Sequence, residues 1–107
     1  MGDEDRKIQE MQLLERNLQN LLLQKQAFQA ELSETQAALK ELESAGDEIF
    51  KIVGQLMIKT EKSKTKDELS NREKLLNLRI NSIEKQEDSL AKKLNELRED
   101  VMGSSAK

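Results

Sequence analysis

Apolar side chains return at alternating steps of three and four residues along nearly the whole chain, and the pattern breaks once, between Ile49 and Thr60. A repeat of about 3.5 residues, sustained over several heptads, commits a helix to a left-handed supercoil with a partner helix. The first run is Met11, Leu14, Leu18, Leu21, Lys25, Phe28, Leu32, Thr35, Leu39 and Leu42. The second is Leu69, Glu73, Leu76, Ile80, Ile83, Glu87, Leu90, Leu94, Leu97 and Val101. They predict helices over 5–44 and 66–102, which match in length and fold back antiparallel. Leu13, Leu22 and Leu23 widen the first stripe and suggest extra contacts on one flank.

The interruption reads as a β-hairpin over 49–60. It is rich in β-branched residues, and Gly54-Gln55 suits a two-residue type II′ loop with glycine at its first central position. That loop sets Val53 opposite Leu56, Ile52 opposite Met57 and Lys51 opposite Ile58. One face then carries Ile49, Lys51, Val53, Leu56, Ile58 and Thr60, the other Phe50, Ile52, Met57 and Lys59. Both faces are mainly apolar, and an isolated two-stranded hairpin is marginal in water. Its open edges also attract further strands. The expected solution is a sheet or barrel shared between subunits.

End signals complete the layout. Asp3 or Asp5 is placed to cap the first helix and Gly46 to end it with a left-handed residue. Glu61 to Lys66 reads as a charged connector, and Thr65-Lys66-Asp67-Glu68 as a capping box opening the second helix. Gly103 should close that helix, leaving residues 103–107 as a flexible tail of a single domain, 1–107. Two polar residues, Lys25 and Glu87, fall within about one layer of each other in the folded-back seam. They either pair and set the register or snorkel apart without meeting.

Composition excludes several functions. The chain has no cysteine and no histidine, so disulfides, Cys/His metal sites and a histidine acid/base are ruled out. Its carboxylates are spread along solvated helix faces, where no concave, partly dry catalytic site forms. The chain is therefore read as non-enzymatic, with no cofactor and no metal. Net charge is −3, from 21 acidic and 18 basic residues of alternating sign, which gives nucleic acid no basic stripe to bind. No apolar run reaches the roughly 18 residues of a membrane span. The acidic start, Met1 to Arg6, lacks the apolar stretch of a signal peptide. The expected location is the cytoplasm.

The segment from Asp47 to Lys59, DEIFKIVGQLMIK, lies between two heptad helices in a short chain. Its acidic start, apolar pair with lysine, Val-Gly step and lysine-ended strand resemble the β-type subunit of prefoldin. Arg79 to Glu87 and Lys92 to Leu97 are similar to that family as well, so the likeness covers nearly the whole chain. A single hairpin indicates the β-type, since α-type subunits carry two. The resemblance implies a hexamer of two α-type and four β-type subunits, whose hairpins form β-barrels and whose coiled coils hang free. It implies an ATP-independent chaperone that captures unfolded proteins and delivers them to a group II chaperonin.

A holdase needs apolar surface that is exposed but not self-aggregating. The helix ends farthest from the hairpin carry Ile8, Met11, Leu13, Leu14, Leu97, Val101 and Met102, the candidate client contacts. The bland alternative is that they finish the seam. The candidate assembly residues are Ile49, Phe50, Ile52, Val53, Gly54, Leu56, Met57 and Ile58. The rival function is a structural or scaffolding coiled coil that binds no client.

Overall fold

The computed structural model describes residues 2–105. They form helix α1 (Asp3–Ser44), strands β1 (Glu48–Val53) and β2 (Leu56–Glu61), and helix α2 (Lys62–Ser105). Two compact units share these elements. One joins residues 2–27 to 80–105, and the other is Phe28–Arg79. In each unit a stretch of α1 runs antiparallel to a stretch of α2.

In the first unit, ion pairs tie low numbers to high ones: Lys7 with Asp100 at 3.9 Å, Glu10 with Lys93 at 3.5 Å and Glu15 with Arg98 at 3.3 Å. Exposed pairs of this kind contribute only about 0–1 kcal/mol each. They mark the alignment, while cohesion comes from the seam, where Leu14, Ile80, Ile83 and Leu94 are buried. In the second unit Glu31 pairs with Arg72, and Arg79 lies over the Phe28 ring at 5.5 Å from its centre. Leu42 and Leu76 are buried there beside a polar exception, Thr35. The Thr35 hydroxyl donates to the Glu31 carbonyl one turn back, at 2.8 Å, so burial leaves it satisfied. Every position of the two heptad runs is buried or half-buried.

The hairpin has the expected register, with Val53 opposite Leu56 and Ile52 opposite Met57, and one further pair at its base, Glu48 opposite Glu61. Gly54 has φ of 62°, and no non-glycine residue has positive φ. That combination fits a type II′ loop and rules out type I′, which needs positive φ at both central positions. The like-charged Glu48–Glu61 pair is relieved by Lys59, whose ammonium lies 3.7 Å from the Glu48 carboxylate.

The first helix ends at Ser44 as expected, while three other helix boundaries and one cap differ. The first helix begins at Asp3 rather than Asp5, with the Gly2 carbonyl accepting from the Arg6 N–H at 3.3 Å. Asp3, Glu4 and Asp5 thus fill the first turn, where the helix dipole favours negative charge. Gly46 does not take the left-handed conformation. The helix instead tightens at its end, the Ala45 N–H donating to the Leu42 carbonyl at 3.3 Å. Thr65 is not a cap, because α2 starts at Lys62 immediately after β2. With no proline or glycine between Glu61 and Lys66, nothing stops the helix from starting one turn early. Gly103 does not end α2, which continues to Ser105. A helical glycine costs about 1 kcal/mol relative to alanine but keeps its N–H, so the hydrogen-bond ladder survives it. Residues 106 and 107 of the expected tail lie outside the described residues.

Leu76 and Leu78 give a matched test of where cohesion resides, being 3% and 66% exposed in the same unit. Leu76→Ala should destabilise by about 2–5 kcal/mol. Leu78→Ala should change stability by less than about 0.5 kcal/mol. Urea unfolding followed by circular dichroism reads both, and equal effects would contradict the seam assignment.

Candidate assembly hairpin and client-contact surface

The hairpin exposes what a stable sheet would bury. Phe50, Ile52, Val53, Leu56, Met57 and Ile58 are between 48% and 71% exposed, and of the apolar hairpin residues only Ile49 is half-buried. They lie on both faces, as the pleat requires. Such an apolar patch on a small chain marks an interaction surface.

The base of the hairpin is held by polar contacts that sequence reasoning missed. The Lys62 ammonium donates to the Ala45 carbonyl, just past the end of α1, at 2.7 Å. The last turn of α1 has no basic residue and the first turn of α2 has no acidic one, so both helix ends are mismatched to their dipoles. Lys62 corrects the first mismatch from across the hairpin. The Thr60 and Thr65 hydroxyls meet at 3.3 Å, joining β2 to the first turns of α2. Lys51 reaches Glu68 at 3.7 Å. The only hint of this joint in the sequence was the lysine spacing at 62, 64 and 66.

In the first unit Lys25 donates to a Glu87 carboxylate oxygen at 2.7 Å, with both side chains about four-fifths covered. The pair therefore meets. Its hydrogen bond raises the Lys25 pKa above the ordinary value of 10.5, partly opposed by desolvation.

The candidate client residues separate by exposure. Ile8, Leu13 and Met102 are exposed, at 41%, 54% and 70%. Leu14 is buried, and Met11, Leu97 and Val101 are half-buried in the seam. Two exposed leucines went unremarked in the sequence, Leu75 and Leu78. The available signal was that both fall outside the 69-73-76-80 spacing. Among the described residues no cluster of acidic side chains could hold a metal ion, and no helix is long and apolar enough to cross a membrane.

Antiparallel helices joined by one uncovered apolar hairpin define a class: coiled-coil arms that carry an assembly element. The family model described as prefoldin subunit matches residues 5–105. The chain is 40% identical over 89 residues to prefoldin subunit beta of Thermococcus onnurineus, covering 81% of this chain and 77% of that one. It is 35% identical over 96 residues to prefoldin subunit beta of Methanosarcina acetivorans, covering 88% and 82%. Its structure is similar to the crystal structure of the prefoldin beta subunit from Thermococcus strain KS-1. The TM-score is 0.89 at 34% identity, over 97% of this chain and 93% of that one. The chain belongs to the prefoldin subunit family, and its likeness is to the β-type.

The Lys25–Glu87 bond carries a pH signature. Because the folded pKa of Lys25 lies above the unfolded one, its stabilisation is complete below pH 10.5 and is lost as pH rises through the folded value. NMR titration of the labelled lysines should find Lys25 deprotonating above the ordinary value of 10.5. In Glu87→Gln it should titrate at lower pH than in the unaltered protein. An unchanged Lys25 titration in that variant would show that the bond is not the cause.

Proposed function

We propose that this chain is a subunit of an ATP-independent holdase chaperone. Its hairpin joins an intersubunit β-barrel, and its free helix ends capture unfolded proteins. Membership of the family supports the role. The observation that carries the client site is the exposure of Ile8, Leu13 and Met102 among charged neighbours. An unfolded protein presents scattered apolar side chains. Adaptable contacts suit such a target, and an exposed methionine is flexible enough to serve several partners. Surrounding charges of both signs, including Arg6, Lys7, Glu10, Arg98 and Asp100, keep these residues dispersed until a client arrives.

Each contact is weak. Several arms acting on one client raise the effective affinity by orders of magnitude without a new contact. In this reading the complex is a hexamer of two α-type and four β-type subunits, located in the cytoplasm. It passes clients to a group II chaperonin without nucleotide hydrolysis, and this subunit performs no catalysis. Leu14 belongs to the seam. Met11, Leu97 and Val101 support the tip from their half-buried positions and reach clients when the ends fray.

The test is aggregation suppression by the assembled complex. Ile8→Ser, Leu13→Ser and Met102→Ser together should weaken capture of a chemically unfolded client by about tenfold or more, with avidity lost at every arm. Complex mass and helicity should be unchanged. Removing residues before Met11 and after Leu97 should have the same effect. Full suppression by an intact complex carrying either change would contradict the client site and favour a scaffolding role.

A further inference from the structure

Two leucines of α2 face outward where the seam has no use for them. Leu75 and Leu78 are 47% and 66% exposed, although Leu76 between them is buried. At roughly 100° per residue they stand side by side on the helix surface, one turn apart. Lys74 flanks them on one side and Arg79 on the other, with Arg72 one turn before Leu75. Together these residues form a strip that lies wholly within the second unit.

The strip is basic in a chain of net charge −3. Arg72 is paired with Glu31. Lys74 and Arg79 have no ion-pair partner among the described residues. Asp67 and Glu68, the nearest exposed acids of α2 toward the hairpin, lie two turns away, and Glu68 faces Lys51 at 3.7 Å. Glu73 is half-buried in the seam, and Glu34 falls on the back of α1, opposite its seam side. Arg79 rests over the Phe28 ring at 5.5 Å from its centre, and a guanidinium stacked in this way keeps its edge N–H groups for a carboxylate.

Beside Leu75 a cavity of about 140 Å³ opens between the helices, lined by Phe28, Glu31, Arg72, Leu75, Leu76 and Arg79. An apolar cavity of about 150 Å³ accepts a benzene ring. The walls made by Phe28, Leu75 and Leu76 suit one phenyl or isobutyl group, and the cations at the rim suit a carboxylate beside it. We propose that this strip docks an acidic amphipathic segment of a partner protein. One apolar side chain of the segment enters the cavity against Phe28 and Leu75, a second covers Leu78, and its carboxylates meet Lys74 and Arg79. Charge complementarity selects this occupant. The client tip carries charges of both signs, whereas the strip presents one sign, which favours orientation and specificity over promiscuity. A nucleic acid would require a longer run of cations and no leucines at its centre. The site uses none of the tip or hairpin residues, so it is separate from the holdase reading.

The probe is a fluorescently labelled, helix-forming peptide with Phe and Leu one turn apart on one face and glutamates beside them, titrated with the full-length protein and read by anisotropy. A peptide with lysine in place of every glutamate is the control. The acidic peptide should bind and the basic one should not. Leu78→Ser and Lys74→Glu should each weaken binding of the acidic peptide by about fivefold or more, with helicity unchanged. Both variants should suppress client aggregation as well as the unaltered protein does, so this inference and the holdase reading fail separately. Equal binding of the two peptides, or binding that neither substitution weakens, would overturn the proposal. So would a loss of client capture in Leu78→Ser as large as its loss of peptide binding, which would make the strip a general client surface. A fall in complex mass in Leu78→Ser would make a second copy the occupant and overturn it as well. Binding of oligouridylate that Lys74→Glu abolishes, without binding of the acidic peptide, would replace the protein partner with a nucleic acid.

Discussion

The hairpin cannot bury its own apolar side chains, and much of this protein follows from that constraint. Two strands have two faces, and here both are apolar while the helix pair covers little of either. Three or more strands, or packing against another surface, are needed for such an element to be stable in water. The missing strands must come from other subunits, which is how membership of an oligomer-forming family appears at the level of single residues. The helices are the reverse case. Each presents an apolar stripe that the other covers, so the seam leaves little apolar area unsatisfied within the chain.

Polar residues in that seam refine alignment rather than add cohesion. Lys25 and Glu87 could each have been apolar without breaking the heptad pattern. Truncating one member of a largely covered, hydrogen-bonded pair leaves its partner unsatisfied, so the paired alignment is favoured over slipped ones. Thr35 differs, since its hydroxyl bonds to its own helix at Glu31 and specifies no partner. The charge pairs along the rim agree with the same alignment and add little energy.

Most of the architecture was legible in the sequence because it depends on periodicity and on one glycine. The seam could be read position by position, since an exposed Leu76 or Ile83 would break a 3.5-residue repeat. The hairpin register followed from Gly54, the one residue there free to adopt positive φ without strain. What escaped lay at element ends, where local signals compete with tertiary contacts. Thr65 carries a sound capping sequence, yet α2 begins earlier, where Lys62 reaches the Ala45 carbonyl. Gly46 is suited to a left-handed cap that the chain does not use. At the helix ends the repeat sufficed again: it puts Leu14 in the seam and Leu13 outside it, and Leu14 is buried while Leu13 is exposed.

The central claim is that the hairpin is stable only when other subunits cover it. Hydrogen exchange of the backbone amides in Glu48–Val53 and Leu56–Glu61, read together with mass by sedimentation, tests it most directly. The experiment uses the chain alone across a dilution series and the chain mixed with an α-type prefoldin subunit. The account predicts slow hairpin exchange in assembled species and fast exchange wherever dilution yields the 12.3 kDa monomer, while the buried seam stays protected. A monomer at every concentration and with either partner, its hairpin amides as protected as those of the seam, would contradict it.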